Sequence, residues 1–207
     1  MERRTLIKGL SALPAAGVFV GCARGRQSTR PVAPSGDATG SRATWPRRRS
    51  VRVGDRAPDF TLPSQSGGLV SLRSFEGKTA VVLYFYPKDE TPICTAEACS
   101  FRDSYTVFLA AGAEVIGVSA DTTDSHKEFA SRHKLPFTLL SDESGKTRKL
   151  YGIRSTAGLI AGRVTYVIDK KGIVRMVFSS QFNPSRHVTE ALKVLKTIQD
   201  EKRLPAR

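Results

Sequence analysis

"TAVVLYFYPKDETPICTAEACSFRD", residues 79–103, decides how the rest of the chain is read. Its first part, "TAVVLYFY", is a near-continuous apolar, β-rich run, the kind found in a strand covered on both faces. The run ends at Pro87. Thr91 then suits a helix N-cap, and Pro92 suits the first helical position, where its missing N–H costs nothing. Cys94 therefore falls in the first turn of a helix, with Cys99 five positions on. Two of the three cysteines in the chain thus lie just beyond the carboxyl end of a buried strand, where open α/β sheets gather their chemistry.

Outward from this joint, "APDFTLP" and "LVSLRSF" read as short extended pieces, with the "SGG" at 66–68 as their turn. After the cysteines, "FRDSYTVFLAAGA" places Phe101, Tyr105 and Phe108/Leu109 at helical spacing, with Gly112 as the stop. "EVIGVSA" is a second buried strand. "SHKEFASRHK" is a helix, with Ser125 and Glu128 spaced as a capping box. "FTLLSD" is a third strand, and "GKTRKLYG" a small helix. "RVTYVID", "KKG" and "IVRMVFS" form a hairpin. "HVTEALKVLKTIQDEK" closes as an amphipathic helix with Val188, Leu192, Leu195 and Ile198 on its apolar side. A helix joins the first two buried strands, so they must be parallel and their crossover right-handed. The order is α/β and thioredoxin-like: a central mixed β-sheet flanked by helices over residues 51–203, with 204–207 as a tail.

The chain has 207 residues, 40% of them hydrophobic, enough for one normal core. No stretch reaches the roughly 18 consecutive apolar residues of a membrane span. A formal charge of +14 resembles a nucleic-acid signal, but residues 1–50 hold ten Lys/Arg against only Glu2 and Asp37. Most of the basic excess per residue sits in that segment, and the domain itself requires no nucleic-acid partner. Residues 1–22 have the charged, apolar, small-residue order of an export signal. Within it, "ERRTLIK" resembles a twin-arginine motif, and "FVGC" resembles a lipoprotein box that makes Cys22 a candidate for lipidation and a membrane tether. The expected location is across an inner membrane, periplasmic or membrane-anchored; a plastid or thylakoid-lumen address is the main rival, and a cytoplasmic one the alternative. Residues 23–50 are rich in Gly, Ser, Pro, Ala, Thr and Arg and read as a flexible basic linker, so the N-terminal extension is expected to be disordered. "WPRRRS" within it is either a contact for an acidic surface or a solvated linker.

What can two such cysteines do? The first turn of a helix offers unpaired N–H groups and the positive end of the dipole, which favour a thiolate, the form that attacks. Position makes Cys94 a nucleophile candidate. Five residues of helix advance about 7.5 Å, whereas a disulfide wants its Cα atoms within about 4.4–6.8 Å. Either the two never pair, or pairing requires the first turns to unwind. A zinc site lacks ligands: His126, His133 and His187 show no ligand spacing and read as helix-surface or loop residues. A thioredoxin-type exchange motif has two residues between its cysteines, and here there are four. A static pair of thiols stays open on spacing alone.

"PKDETPIC", Pro87 to Cys94, matches the P-x-x-x-T-x-x-C signature of peroxiredoxins. With "AGAEVIGVSADTTDSHKEFA" and "LPFTLLSDE", the chain from about 51 to 200 resembles the peroxiredoxin Q, or bacterioferritin comigratory protein, subfamily of the AhpC/TSA type. The resemblance implies a thiol-dependent peroxidase acting on hydrogen peroxide and organic hydroperoxides without metal or other cofactor. Cys94 would be the peroxidatic cysteine. Cys99 would resolve its sulfenic acid to an intramolecular disulfide, and thioredoxin or a similar dithiol would recycle it. Thr91 would hold thiolate and peroxide, and Pro87 would shape and shield the pocket. Arg163, at the start of "RVTYVID", matches a family arginine that would stabilise the thiolate and the developing charge. Glu97 lies where relatives carry a Glu or Gln that steadies that arginine, and an ordinary solvated helix residue is the other reading. The resemblance further implies a monomer. Ile93 departs from it, standing where the subfamily commonly has Gly; a β-branched residue there stiffens the turn that must unwind. The rival function is a redox relay that senses peroxide and oxidises a partner once instead of turning over.

Overall fold

The computed structural model describes residues 49–155 and 162–203. The predicted export signal (1–22), Cys22, all but the last two residues of the linker (23–50) and the tail (204–207) lie outside the described residues.

Among the described residues the first regular element is a hairpin of β1 (Thr61–Pro63) and β2 (Leu69–Ser71), followed by a short 3₁₀ turn, Leu72–Phe75. Then come β3 (Ala80–Phe85), α1 (Pro92–Asp103), α2 (Tyr105–Ala110), β4 (Ala113–Ser119), α3 (Thr123–His133) and β5 (Thr138–Ser141). A short α4 (Lys146–Leu150) leads to β6 (Val164–Ile168), β7 (Val174–Ser179) and the long α5 (Pro184–Arg203). Five strands form one mixed sheet in the order β5-β4-β3-β6-β7. β3 is parallel to β4 and antiparallel to β6, and β4 is parallel to β5. The thioredoxin-like α/β sheet expected from the sequence is therefore the one observed.

Every residue of β3 is buried, because both faces of the sheet are covered. Val82 and Tyr84 face a core built with Phe101 of α1, Phe108 of α2, Phe129 of α3 and Ala191 and Leu195 of α5. Val81, Leu83 and Phe85 face the opposite core, closed by Phe60, Leu72 and Tyr151. The alternation by single residues is that of any strand; the absence of a polar face follows from the double cover. Gly117 in β4 permits close packing: a Cβ there would lie 2.7 Å from both Leu139 and the Tyr84 ring. That ring stacks on Phe101 with centroids 4.6 Å apart, which locks α1 against β3.

Two helix boundaries differ from expectation. The apolar pattern of 101–113 predicts one helix, but the chain breaks at Ser104, whose φ of −103° and ψ of 4° leave the helical region. Serine bonds readily to nearby backbone and is a weak helix former. The α3 cap is Thr122, whose hydroxyl accepts the Ser125 N–H at 3.2 Å. Ser125 is not the cap; its hydroxyl is engaged by Asp89 at 2.7 Å.

Candidate active site

The end of β3 delivers Tyr86 and Pro87 to the mouth of α1. Thr91 stands at the N-cap with extended dihedrals, φ −80° and ψ 144°, and Pro92 opens the helix. The Thr91 hydroxyl does not cap; it donates to the Lys88 carbonyl at 3.1 Å and so closes the preceding turn. Cys94 is 2% exposed in the first turn, and its thiol is free. It forms the floor of a cavity of about 470 Å³ walled by Pro87, Thr91, Pro92, Ile93, Arg163 and Phe182. Phe182 is 75% exposed at the rim, so the site is open to small apolar molecules. Ile93 sits in the helix with negative φ, so its β-branch carries no backbone strain.

Arg163 precedes β6 and is 2% exposed. One end of its guanidinium donates to the Cys94 sulfur at 3.1 Å, and the other pairs with Glu97 Oε2. The cation is placed to favour negative charge on sulfur, and its planar fork is what serves both partners. Gly162, just before Arg163, packs where a Cβ would collide with the Arg154 carbonyl oxygen. Glu97 is wholly buried, so the solvated reading of it is corrected; α1 turns it inward on the same face as Cys94 and Phe101. Burial pushes its carboxyl up to about 7, against the pull of Arg163. Cys99, on the next turn, is partly exposed and also a free thiol. Both cysteines lie within the intact α1, about 7.5 Å apart along its axis.

Two of the three histidines read as helix-surface or loop residues are placed otherwise. His126 and His187 are fully buried and His133 is partly so. His126 Nδ1 lies 2.8 Å from Asp89 Oδ2, while the Tyr86 hydroxyl donates to Oδ1 at 2.7 Å. Asp89 is held below the ordinary carboxylate range by His126, Ser125 and Tyr86, although burial opposes this. The loop from Pro87 to Thr91 is thus anchored from inside by Asp89. On the outside Glu90, at φ 59°, pairs with Arg132 at 2.9 Å. Arg148 completes the frame, donating to the carbonyls of Tyr86 and Gly162 at 2.7 Å each. It thereby fixes the segment before Pro87 against the segment before Arg163. None of these supports was anticipated. A signal existed for two: His126 is three residues before Phe129, and His187 four before Ala191, both on the buried stripe of an amphipathic helix. Among the described residues no group of three or more His, Cys, Asp or Glu side chains could hold a metal ion.

A model of the AhpC/TSA family matches residues 53–177. The chloroplastic peroxiredoxin Q of Sedum lineare is 54% identical over 150 residues, covering 72% of this chain and 80% of that one. The crystal structure of peroxidoxin BcpB from Mycobacterium tuberculosis superposes with a TM-score of 0.66 at 37% identity, covering 70% of this chain and 97% of that one. A structure of the Xanthomonas campestris bacterioferritin comigratory protein, determined for its alkyl peroxide reduction activity, gives a TM-score of 0.62 at 28% identity, covering 67% and 91%. The chloroplastic relatives overturn one expectation, export to a periplasm, and point to a plastid. A basic, acid-poor N-terminal segment with an apolar stretch is shared by both kinds of address, so composition did not separate them. Among the described residues no helix is long and apolar enough to cross a membrane.

Proposed function

The chain belongs to the AhpC/TSA family and is a thiol-dependent peroxidase, and from that premise we propose which of its residues carry the reaction. Cys94 is the peroxidatic cysteine. Its thiolate attacks one oxygen of the peroxide, the S–O bond forms as the O–O bond breaks, and the sulfur becomes a sulfenic acid while the departing oxygen takes a proton to become water or an alcohol. The observation that carries this reading is the Arg163 guanidinium 3.1 Å from the Cys94 sulfur inside the apolar cavity. It stabilises the attacking anion and the charge that develops on the leaving oxygen. Thr91 and Pro87 border the peroxide, and Glu97 holds Arg163 from behind.

Cys99 resolves the sulfenic acid: its sulfur attacks Cys94, water leaves, and an intramolecular disulfide remains. The helix spacing requires the first turns of α1 to open for this step. A dithiol of the thioredoxin type then reduces the disulfide by exchange. Both cysteines lie on one helix, so the cycle closes within a single chain and a monomer suffices. The cavity walls of Pro87, Pro92, Ile93 and Phe182 suit the organic part of a hydroperoxide, in keeping with the alkyl peroxide activity of the Xanthomonas relative. The test is turnover with thioredoxin and excess peroxide. Cys94→Ser should abolish it, and Cys99→Ser should leave one stoichiometric oxidation without cycling. Stoichiometric oxidation without cycling in the wild type would instead mark a relay that oxidises once.

A further inference from the structure

Behind the guanidinium the contacts continue. Arg163 pairs with Glu97 Oε2, and Glu97 Oε1 lies 3.5 Å from Nδ1 of His187 on α5. Glu97 and His187 are both wholly buried. Oε1 has no hydrogen-bond partner, which is costly for a carboxylate oxygen away from water. The tautomer of His187 follows from its other contact: Nε2 lies 2.9 Å from the Ser180 carbonyl oxygen, which can only accept, so Nε2 carries the hydrogen. In the neutral ring Nδ1 is then an acceptor, reached also by the Thr165 hydroxyl at 2.8 Å. Glu97 Oε1, which has no partner, therefore faces a nitrogen lone pair that the Thr165 hydroxyl also reaches, and no ring N–H can serve it. One proton between them removes the conflict.

We propose that His187 is a positioning residue for the Cys94 centre: Glu97 Oε1 and His187 Nδ1 hold one proton between them, and that proton leaves the Arg163 guanidinium to the Cys94 sulfur. The inference rests on Cys94 being the attacking thiolate. Burial sets where the proton resides, since it pushes Glu97 up to about 7 and His187 down to about 4. Below about 7 the proton is on Glu97, donated toward Nδ1. The groups that face Glu97 are Arg163 at the start of β6, His187 of α5, Cys94 of its own helix and Tyr84 of β3, whose phenol is pushed far up and stays neutral. With Glu97 neutral, one cation serves one anion, the thiolate. With Glu97 ionised, two anions share one guanidinium, and less of its charge is left to the sulfur.

The experiment is the pH dependence of Cys94 oxidation by hydrogen peroxide in a single turnover of the full chain. Glu97→Gln fixes the state that the wild type already holds below about 7, and should leave the acid limb of the profile in place. His187→Leu takes away the Nδ1 acceptor, so the neutral Glu97 loses the partner of its proton and its anion is favoured; the limb should move about one unit higher. The double variant should match Glu97→Gln alone. A purely structural role would lower the rate without moving the limb, and an unmoved limb in His187→Leu overturns the proposal. So does a shift by His187→Leu that persists in the double variant. Should His187→Leu not fold, nitrogen NMR of the His187 ring reads the same proton. Nδ1 should be an acceptor whose resonance moves near pH 7 in the wild type and not in Glu97→Gln; a protonated Nδ1, or an indifferent one, overturns the proposal. That spectrum is independent of peroxide chemistry. Failure of Cys94 to oxidise at any pH, by contrast, overturns its assignment as nucleophile.

Discussion

At the scale of single residues the site is a cation aimed at a sulfur. Arg163 is buried, donates to Cys94 at 3.1 Å and has its second arm on Glu97. Removing such a donor where charge develops costs about 10²–10³ in rate. Arg163→Gln should therefore slow Cys94 oxidation by that factor in stopped-flow measurements. Arg163→Lys should recover little, because an ammonium cannot serve sulfur and carboxylate together. The placement of Cys94 was legible in the sequence because its cue is local: a strand end, an N-cap position and a first turn within a few positions. Arg163 was not legible by that means. It lies 69 residues from Cys94, and only the family resemblance singled it out. His126 and His187 were misread because isolated histidines carry no spacing signal, and their buried side of the helix had to be inferred from apolar neighbours.

At the scale of elements the question is how α1 is both held and opened. The loop before it is fixed by the Asp89–His126 pair, both members buried. Asp89→Ala leaves His126, Tyr86 and Ser125 without their common acceptor, and breaking a buried pair costs about 3–5 kcal/mol. Urea unfolding should show a loss of that size. For the proposed disulfide the helix would have to unwind, and Ile93 in the first turn would resist. Ile93→Gly lowers helix propensity by several tenths of a kcal/mol, up to about 1. It should therefore speed disulfide formation and reduce conversion of Cys94 to sulfinic acid in excess peroxide. Mass spectrometry reads both, and equal over-oxidation in the two proteins would contradict the account. Strands were the more legible elements: β3, β4, β6 and β7 appear where their apolar runs stand. Helix ends were less so, because the break at Ser104 and the cap at Thr122 depend on short polar side chains whose choice of partner is tertiary.

At the scale of the molecule, two buried groups give stability opposing pH slopes. Glu97, raised from 4.5 to about 7, binds its proton more tightly when folded. The stability it contributes is full below 4.5 and is lost as pH rises through about 7. His187, lowered from 6.5 to about 4, prefers the neutral ring when folded, so its contribution is full above 6.5 and is lost as pH falls through about 4. Between 4.5 and 6.5 the two slopes oppose. Urea midpoints of Glu97→Gln should therefore climb with pH across that interval more steeply than in wild type, and those of His187→Gln should fall. Identical slopes in all three proteins would contradict the assignment. The architecture was legible in the order of apolar runs, since a strand buried on both faces implies a layer on each. The cellular address was not, because the sequence property it rests on is an ordering of charged and small residues that more than one compartment uses.

The central claim is that Cys94 attacks peroxide and Cys99 resolves it. Intact mass after one equivalent of hydrogen peroxide tests it directly, on the chain carrying Cys22→Ser and on the same chain with Cys99→Ser added. The account predicts loss of two hydrogens in the first and gain of one or more oxygens at Cys94 in the second. Oxygen gained without loss of hydrogens while Cys99 is present, or no change in mass at all, would contradict it.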